Sequence, residues 1–241
     1  MFEIKKQMSF SAAHHLLNYE GEFNDVSTLA HELGHSVHSY LTRTNNPPIT
    51  GEYKIFVAEV ASLVNELLLA KYMLKNSSEK QEKLAIINNL LDLYKATIYR
   101  QVMFAEFERD IAKLSEDGEV LTSELLCDLY YKLNEKYYGK DVVIDKEIQY
   151  EWMRIPHFYY NFYVYKYATG YSAATAFASA ILSGQPGAVD KYLGFLKAGG
   201  SDYSLNILKN AGVDLTTPAP VTITLQKFAA KLQELKALLG K

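Results

Sequence analysis

Residues 31–35 read His31-Glu32-Leu33-Gly34-His35. Two histidines four apart on a helix project from one face, so both imidazoles can reach a single metal ion. Glu32 lies beside that face, within reach of a water held by the metal. Zinc on two neutral imidazoles and a carboxylate keeps one open position, where water is acidified to a pKa of about 7. A neighbouring carboxylate then takes its proton as the water attacks a polarised carbonyl. The residue types and their spacing therefore point to metal-assisted hydrolysis.

A carboxylate ligand should follow on the next helix, and Glu52, Glu59 and Glu66 are the candidates. Glu52 stands in a Gly-Glu turn. Glu59 lies in the apolar run Phe56-Val57-Ala58-Glu59-Val60-Ala61, where an unpaired carboxylate is costly and a metal resolves the cost. Glu66, two turns on, can orient one of the histidines from behind or stand solvated on the helix. His38 shares the face of His31 and is expected to form cleft wall rather than to ligate. Position 41 is Leu41, which excludes a third histidine at the spacing used by metzincins.

These residues require helices to carry them, and the pattern is helical almost throughout. Leu29, Leu33, Val37 and Leu41 form one apolar stripe, as expected of a buried helix capped by Asn24 or Asp25 and stopped at Asn45-Asn46-Pro47-Pro48. Further helices are expected over 53–75, 79–115 and 122–138. A dense aromatic and alanine-rich helix should run over 147–182, kinked near Pro156 and Gly170. Shorter helices follow to Leu196 and Asn210. A C-terminal one over 221–239 carries Leu225, Phe228, Leu232, Leu235 and Leu239 at helical spacing and should pack on the domain. Val142-Val143-Ile144 is a short strand or a buried loop. The expected fold is all-α, at most with that one strand segment, in a single domain over residues 1–241.

Composition narrows the partners. The 241 residues carry a net charge of -3, so no basic field calls for nucleic acid. No apolar run reaches the roughly 18 residues of a membrane helix. A single cysteine, Cys127, excludes an internal disulfide and a cysteine-rich metal site. Residues 1–15 show no apolar stretch of the signal-peptide kind. A soluble cytoplasmic protein is expected. Nineteen tyrosines against one tryptophan suggest phenols with polar work to do along a cleft.

The run Asn24–Ala30 leading into HELGHSVHSYL resembles the zinc helix of the oligoendopeptidase F and thimet oligopeptidase family. So do IFVAEVASLVNE at 55–66, YRQVMFAEFE at 99–108, RIPHFYYNFYVYKYATGYS at 154–172 and FLKAGGSDY at 195–203. The resemblance implies a zincin-like helical catalytic domain with one Zn2+ per chain on His31, His35 and Glu59, and Glu32 as general base. It implies a metalloendopeptidase that cleaves oligopeptides, with a related zinc carboxypeptidase, or a truncated zinc- and peptide-binding domain without turnover, as alternatives. In that family a histidine and tyrosines facing the zinc stabilise the oxyanion, and His157, Tyr165 and Tyr163 are the best matches. Tyr159, Tyr160, Tyr167 and Tyr171 include several that serve packing. Members of the family are longer, with a helical N-terminal region as the opposite wall of a deep channel. Without it the cleft is expected to be open or closed by a second copy, and association into a dimer or larger homo-oligomer is expected. Residues 1–16 depart from the family. SFSAAHH resembles the zinc-binding start of the pyruvoyl-tetrahydropterin synthase family, but the second histidine pair of such a site is missing.

Overall fold

The computed structural model describes residues 20–240, so residues 1–19, which carry the SFSAAHH segment, lie outside the described residues. Every regular element among the described residues is helical. The order is α1 (Phe23–Asn45), a 3-10 turn (Ile55–Val57), α2 (Ala58–Asn76) and α3 (Lys80–Tyr94). A π turn (Lys95–Tyr99) leads into α4 (Arg100–Glu116), followed by α5 (Ser123–Tyr138) and two 3-10 segments, Lys146–Arg154 and Pro156–Tyr159. Then come α6 (Tyr165–Leu182), α7 (Ala188–Ala198), α8 (Ser204–Asn210) and α9 (Ala219–Leu239). No helix among the described residues is long and apolar enough to cross a membrane.

The chain groups into two compact units. The first takes the residues up to Asp92 together with those from Thr169 onward. In it α1 packs on α2 and on α7. Ala70, Ile86 and Leu90 form a small core with Phe23, Leu67, Met73 and Leu74. Phe177, Tyr192 and Phe195 add a ring cluster with centroids 5.3–6.3 Å apart. Asp25 takes the backbone N–H groups of Glu20 and Glu22 at 2.9 Å, so it closes the first turn of α1 from inside rather than capping it from outside.

The buried face of α1 is not the expected one. Leu29, Leu33 and Val37 are 38, 47 and 46% exposed, while Ser27, Gly34, His38 and Thr42 are buried. The reason is how closely α2 approaches. A Cβ on Gly34 would stand 2.5 Å from the Ser62 Cα and 2.7 Å from the Ala61 carbonyl oxygen. Only small or hydrogen-bonding residues fit such a seam, and the leucines turn outward. Asn65 Nδ2 donates to the Ala30 carbonyl at 3.1 Å across it, and Thr42 Oγ1 to that of Leu196 at 3.0 Å. His38 is likewise buried rather than cleft wall. Its ring stacks on Tyr53, 3.8 Å between centroids, and its Nδ1 is buried with no hydrogen-bond partner. Burial, with His35 nearby, pushes its pKa down to about 3, so it stays neutral.

The second unit is Leu93–Ala168. Met103, Phe104 and Phe107 of α4 pack with Tyr130 and Leu133 of α5, and with Ile155 and Val164. The Thr122 hydroxyl caps α5, accepting the Leu125 N–H at 3.3 Å. Two expectations are corrected here. Val142 and Val143 are exposed loop residues, neither strand nor buried, and the Tyr131 hydroxyl donates to the Ile144 carbonyl. The stretch 147–182 is two 3-10 segments, a loop at 160–164 and then α6, because the chain breaks well before Gly170. In α9, Leu225 and Leu239 are exposed while Phe228, Leu232 and Leu235 are half-buried.

Candidate metal centre

In the first unit α1 delivers His31 and His35, and the start of α2 delivers Glu59. One ligand atom from each lies within 4.8 Å of the other two. The two Nε2 atoms are 3.2 Å apart, and Glu59 Oε2 is 3.2 Å from that of His31 and 3.4 Å from that of His35. Donors about 2.0–2.1 Å from a tetrahedral zinc stand about 3.3–3.4 Å from one another. The three side chains thus fit three corners of such a site with no rearrangement.

Two of the donors, His31 and Glu59, are held from behind. Glu66 Oε1 lies 2.6 Å from His31 Nδ1, which fixes that ring with its Nε2 facing Glu59. Ser27 Oγ donates to the other oxygen of Glu66 at 3.0 Å. Ser62 Oγ lies 3.0 Å from Glu59 Oε2, and Glu59 sits in the first turn of α2, where the helix dipole favours an anion. Glu52, the other nearby carboxylate, is spent elsewhere: it is exposed and pairs with Arg43 at 2.9 Å. Hydrogen bonds from His31 and then His35 hold the Glu59 carboxyl far below the usual carboxylate range, against its burial. Burial works to lower the His31 pKa, but the Glu59 and Glu66 carboxylates outweigh it and push it up to about 10. Two imidazoles and two carboxylates crowded together call for positive charge, which a divalent cation would supply in place of a proton. Glu32, half-buried on the same helix, belongs to this unit as well.

Glu66→Ala is expected to weaken zinc binding about 10–100-fold while leaving the chain folded. Competition with a chromophoric chelator, alongside circular dichroism, measures it. Unchanged affinity would remove Glu66 from the centre.

His157 and Tyr163 lie in the second unit and come together there, with ring centroids 5.4 Å apart. Tyr160 and Tyr167 complete an aromatic cluster around His157, and the Tyr167 hydroxyl is 3.3 Å from His157 Nε2. Tyr165, the first residue of α6, is exposed. Of the tyrosines expected to include packing residues, Tyr171 is fully buried, but Tyr159 and Tyr160 are exposed. The contact between Tyr167 and His157 is not legible from spacing, because the loop at 160–164 breaks the helical register between them. In that loop Asn161 and Phe162 have φ of 51° and 55°. The left-handed region costs a non-glycine residue roughly 1–2 kcal/mol, so the surrounding structure must enforce it.

Ser27, Gly34 and Ser62 also contribute to the centre, and nothing in the sequence marks them. Small residues carry no chemical signature, and their role emerges only where the helices cross.

Comparison with known proteins agrees with the motif blocks. The chain matches peptidase family M3 over residues 1–227, which takes in the segment 1–16 expected to depart from it. It is 53% identical to oligopeptidase PepF of Bacillus subtilis over 94% of this chain and 34% of that protein. It is 46% identical to the chromosomal oligoendopeptidase F of Lactococcus lactis subsp. cremoris, over 94% of this chain and 38% of that protein. The crystal structure of oligoendopeptidase-F from Enterococcus faecium is similar with a TM-score of 0.82 at 46% identity, covering 90% of this chain and 39% of that one. The chain thus spans little more than a third of the length of these relatives. The ordered motif blocks, the helical architecture and the match along nearly the whole sequence lead to one conclusion: this chain belongs to peptidase family M3.

Proposed function

We propose that this chain carries the catalytic centre of a zinc metalloendopeptidase that cleaves peptide bonds within oligopeptides. The convergence of His31 Nε2, His35 Nε2 and Glu59 Oε2 at tetrahedral spacing carries the reading. Zinc held there supplies a Lewis acid for the scissile carbonyl and acidifies water. Glu32 takes a proton from the attacking water as its oxygen adds to the carbonyl carbon. It then passes that proton to the amine nitrogen as the C–N bond breaks. Glu66 keeps His31 in the tautomer that leaves Nε2 free to ligate. His157, Tyr163 and Tyr165 are assigned the oxyanion, and losing one such donor costs roughly 3 kcal/mol. The names of the relatives, oligopeptidase and oligoendopeptidase, support reading short peptides as substrates and cleavage as internal.

The test is an internally quenched peptide of about eight residues, a length chosen for an oligopeptide substrate. One version has its C-terminus amidated and a second has it free, and the chain is assayed on both with chelator and then with added zinc. Internal cleavage that stops with chelator and returns with zinc is expected. Cleavage only of a free C-terminus would make the enzyme a carboxypeptidase. Bound zinc with no cleavage of either peptide would leave a binding domain without turnover.

A further inference from the structure

The chemistry above makes no use of the FLKAGGSDY block at 195–203. Its two glycines close α7. Gly199 has φ of 56°, in the left-handed region that ends many helices and favours glycine. Gly200 follows, and its N–H donates to the Thr50 carbonyl at 2.9 Å. Neither position has room for a side chain. A Cβ on Gly199 would stand 2.5 Å from the Thr50 carbonyl oxygen, and one on Gly200 would stand 2.8 Å from that of Glu52. The turn therefore lies backbone against backbone on the segment between α1 and α2.

The end of α7 is fastened to α1 as well. The last carbonyls of a helix have no partner within it. Here Thr42 Oγ1, in the last turn of α1, donates to that of Leu196 at 3.0 Å, and Asn46 Nδ2, just beyond it, donates to that of Lys197 at 2.6 Å. The segment itself is tied to α1 at two further points. Glu52 pairs with Arg43 at 2.9 Å, and the Tyr53 hydroxyl lies 3.0 Å from Ser39 Oγ. Residues 50–53 are thus held by the glycine turn and by α1 together.

This segment leads directly to Glu59, the second residue of α2, and α2 begins without a side-chain cap. Helix ends fray. The Ser62 hydroxyl orients the Glu59 carboxylate, but the backbone there continues the 3-10 turn Ile55–Val57, in which the Val57 N–H donates to the Lys54 carbonyl at 3.0 Å. The place of that turn follows from where residues 50–53 are held. We propose that Gly199 and Gly200 are positioning residues for Glu59: they clamp the Thr50–Glu52 backbone against the end of α7, which fixes the uncapped first turn of α2 and with it the carboxylate that meets His31 and His35. The proposal rests on the reading of Glu59 as a zinc ligand.

Gly200→Ala in the 241-residue chain tests the clamp, because the φ of Gly200 is not left-handed and the added methyl meets only the Glu52 carbonyl. In the zinc-free chain the amides of Val57 and Ala58 exchange about tenfold faster than in the parent, while those of residues 63–70 keep their protection. Zinc affinity, read by competition with a chromophoric chelator, falls by about tenfold. Gly194→Ala, on the same helix but with nothing within 4 Å of its new methyl, changes neither quantity. Asn46→Ala removes the tie to Lys197 without adding an atom and moves both quantities in the same direction, so it decides the matter if Gly200→Ala does not fold. Parental exchange at Val57 and Ala58 in these variants overturns the proposal, as does exchange raised equally throughout α1, α2 and α7. Glu59→Ala is the reference for affinity. Zinc binding that Glu59→Ala weakens and Gly200→Ala leaves parental also overturns the clamp. Parental affinity in both overturns instead the reading of Glu59 as a ligand.

Discussion

Glu32→Gln is expected to bind zinc stoichiometrically and to hydrolyse the quenched peptide about 10²–10⁴-fold more slowly than the parent. Glutamine keeps the size and the hydrogen-bonding oxygen of the side chain but cannot accept the proton of the attacking water. His31, His35 and Glu59 are untouched, and Glu66 still holds His31 from behind at 2.6 Å. The loss should therefore fall on kcat rather than on metal affinity or on KM. Metal analysis of the purified variant, together with steady-state kinetics, separates these quantities. A variant that retains a tenth of the parental kcat with zinc bound would remove Glu32 from the proton transfer. One that loses zinc would make it part of the metal centre instead.

Gly34→Ala is the second large effect, and it comes from a single methyl group. The new Cβ would stand 2.5 Å from the Ser62 Cα and 2.7 Å from the Ser62 nitrogen. Backbone on both helices cannot yield locally, so α1 and α2 must separate. That costs roughly 1–3 kcal/mol, a fall in thermal midpoint of roughly 3–10 °C for a chain of this size. The same separation draws Glu59 away from the two histidines, whose donors now stand 3.2 and 3.4 Å from it. Zinc affinity should drop by about tenfold or more, and Glu66 should lose its hold on His31. Calorimetry with and without zinc tests both parts. An alanine variant with the parental midpoint and affinity would mean that the seam tolerates the extra methyl. Helix propensity works in the opposite direction, since alanine favours the helix over glycine by about 1 kcal/mol, so any destabilisation is attributable to the crossing.

The three residues that meet at the candidate metal centre are legible in the amino-acid sequence. His31 and His35 carry their geometry in their spacing, because four residues on a helix are about one turn. Glu59 stands out because an acid among Val57, Ala58, Val60 and Ala61 needs a reason to be there. Helix positions are also legible, since the breaks at Asn45-Asn46-Pro47-Pro48, Asn76-Ser77-Ser78 and Gly139 are local signals. The all-α class follows from them.

What periodicity cannot decide is which face of α1 turns inward. The leucine stripe has the pattern of a buried face, yet the α2 backbone comes too close at Gly34 for any large side chain there, so Ser27 and Gly34 face α2 while His38 packs on Tyr53 and Phe195 and Thr42 bonds to Leu196. The outcome depends on the distance between two helices, and a sequence read one element at a time has no term for it. The same holds for Glu52 and Glu66, both equally acidic and both close to Glu59 in sequence. Arg43 takes the first, and the crossing of α1 over α2 brings the second to His31. It holds again for the loop at 160–164, where an aromatic run that looks helpful to a helix is turned aside into a left-handed pair. Residue types and their spacing along one helix determined which atoms this protein has for chemistry. Only the packing of helices on one another decided which of those atoms meet, because side-chain contacts between elements depend on backbone separation and crossing geometry rather than on distance along the chain.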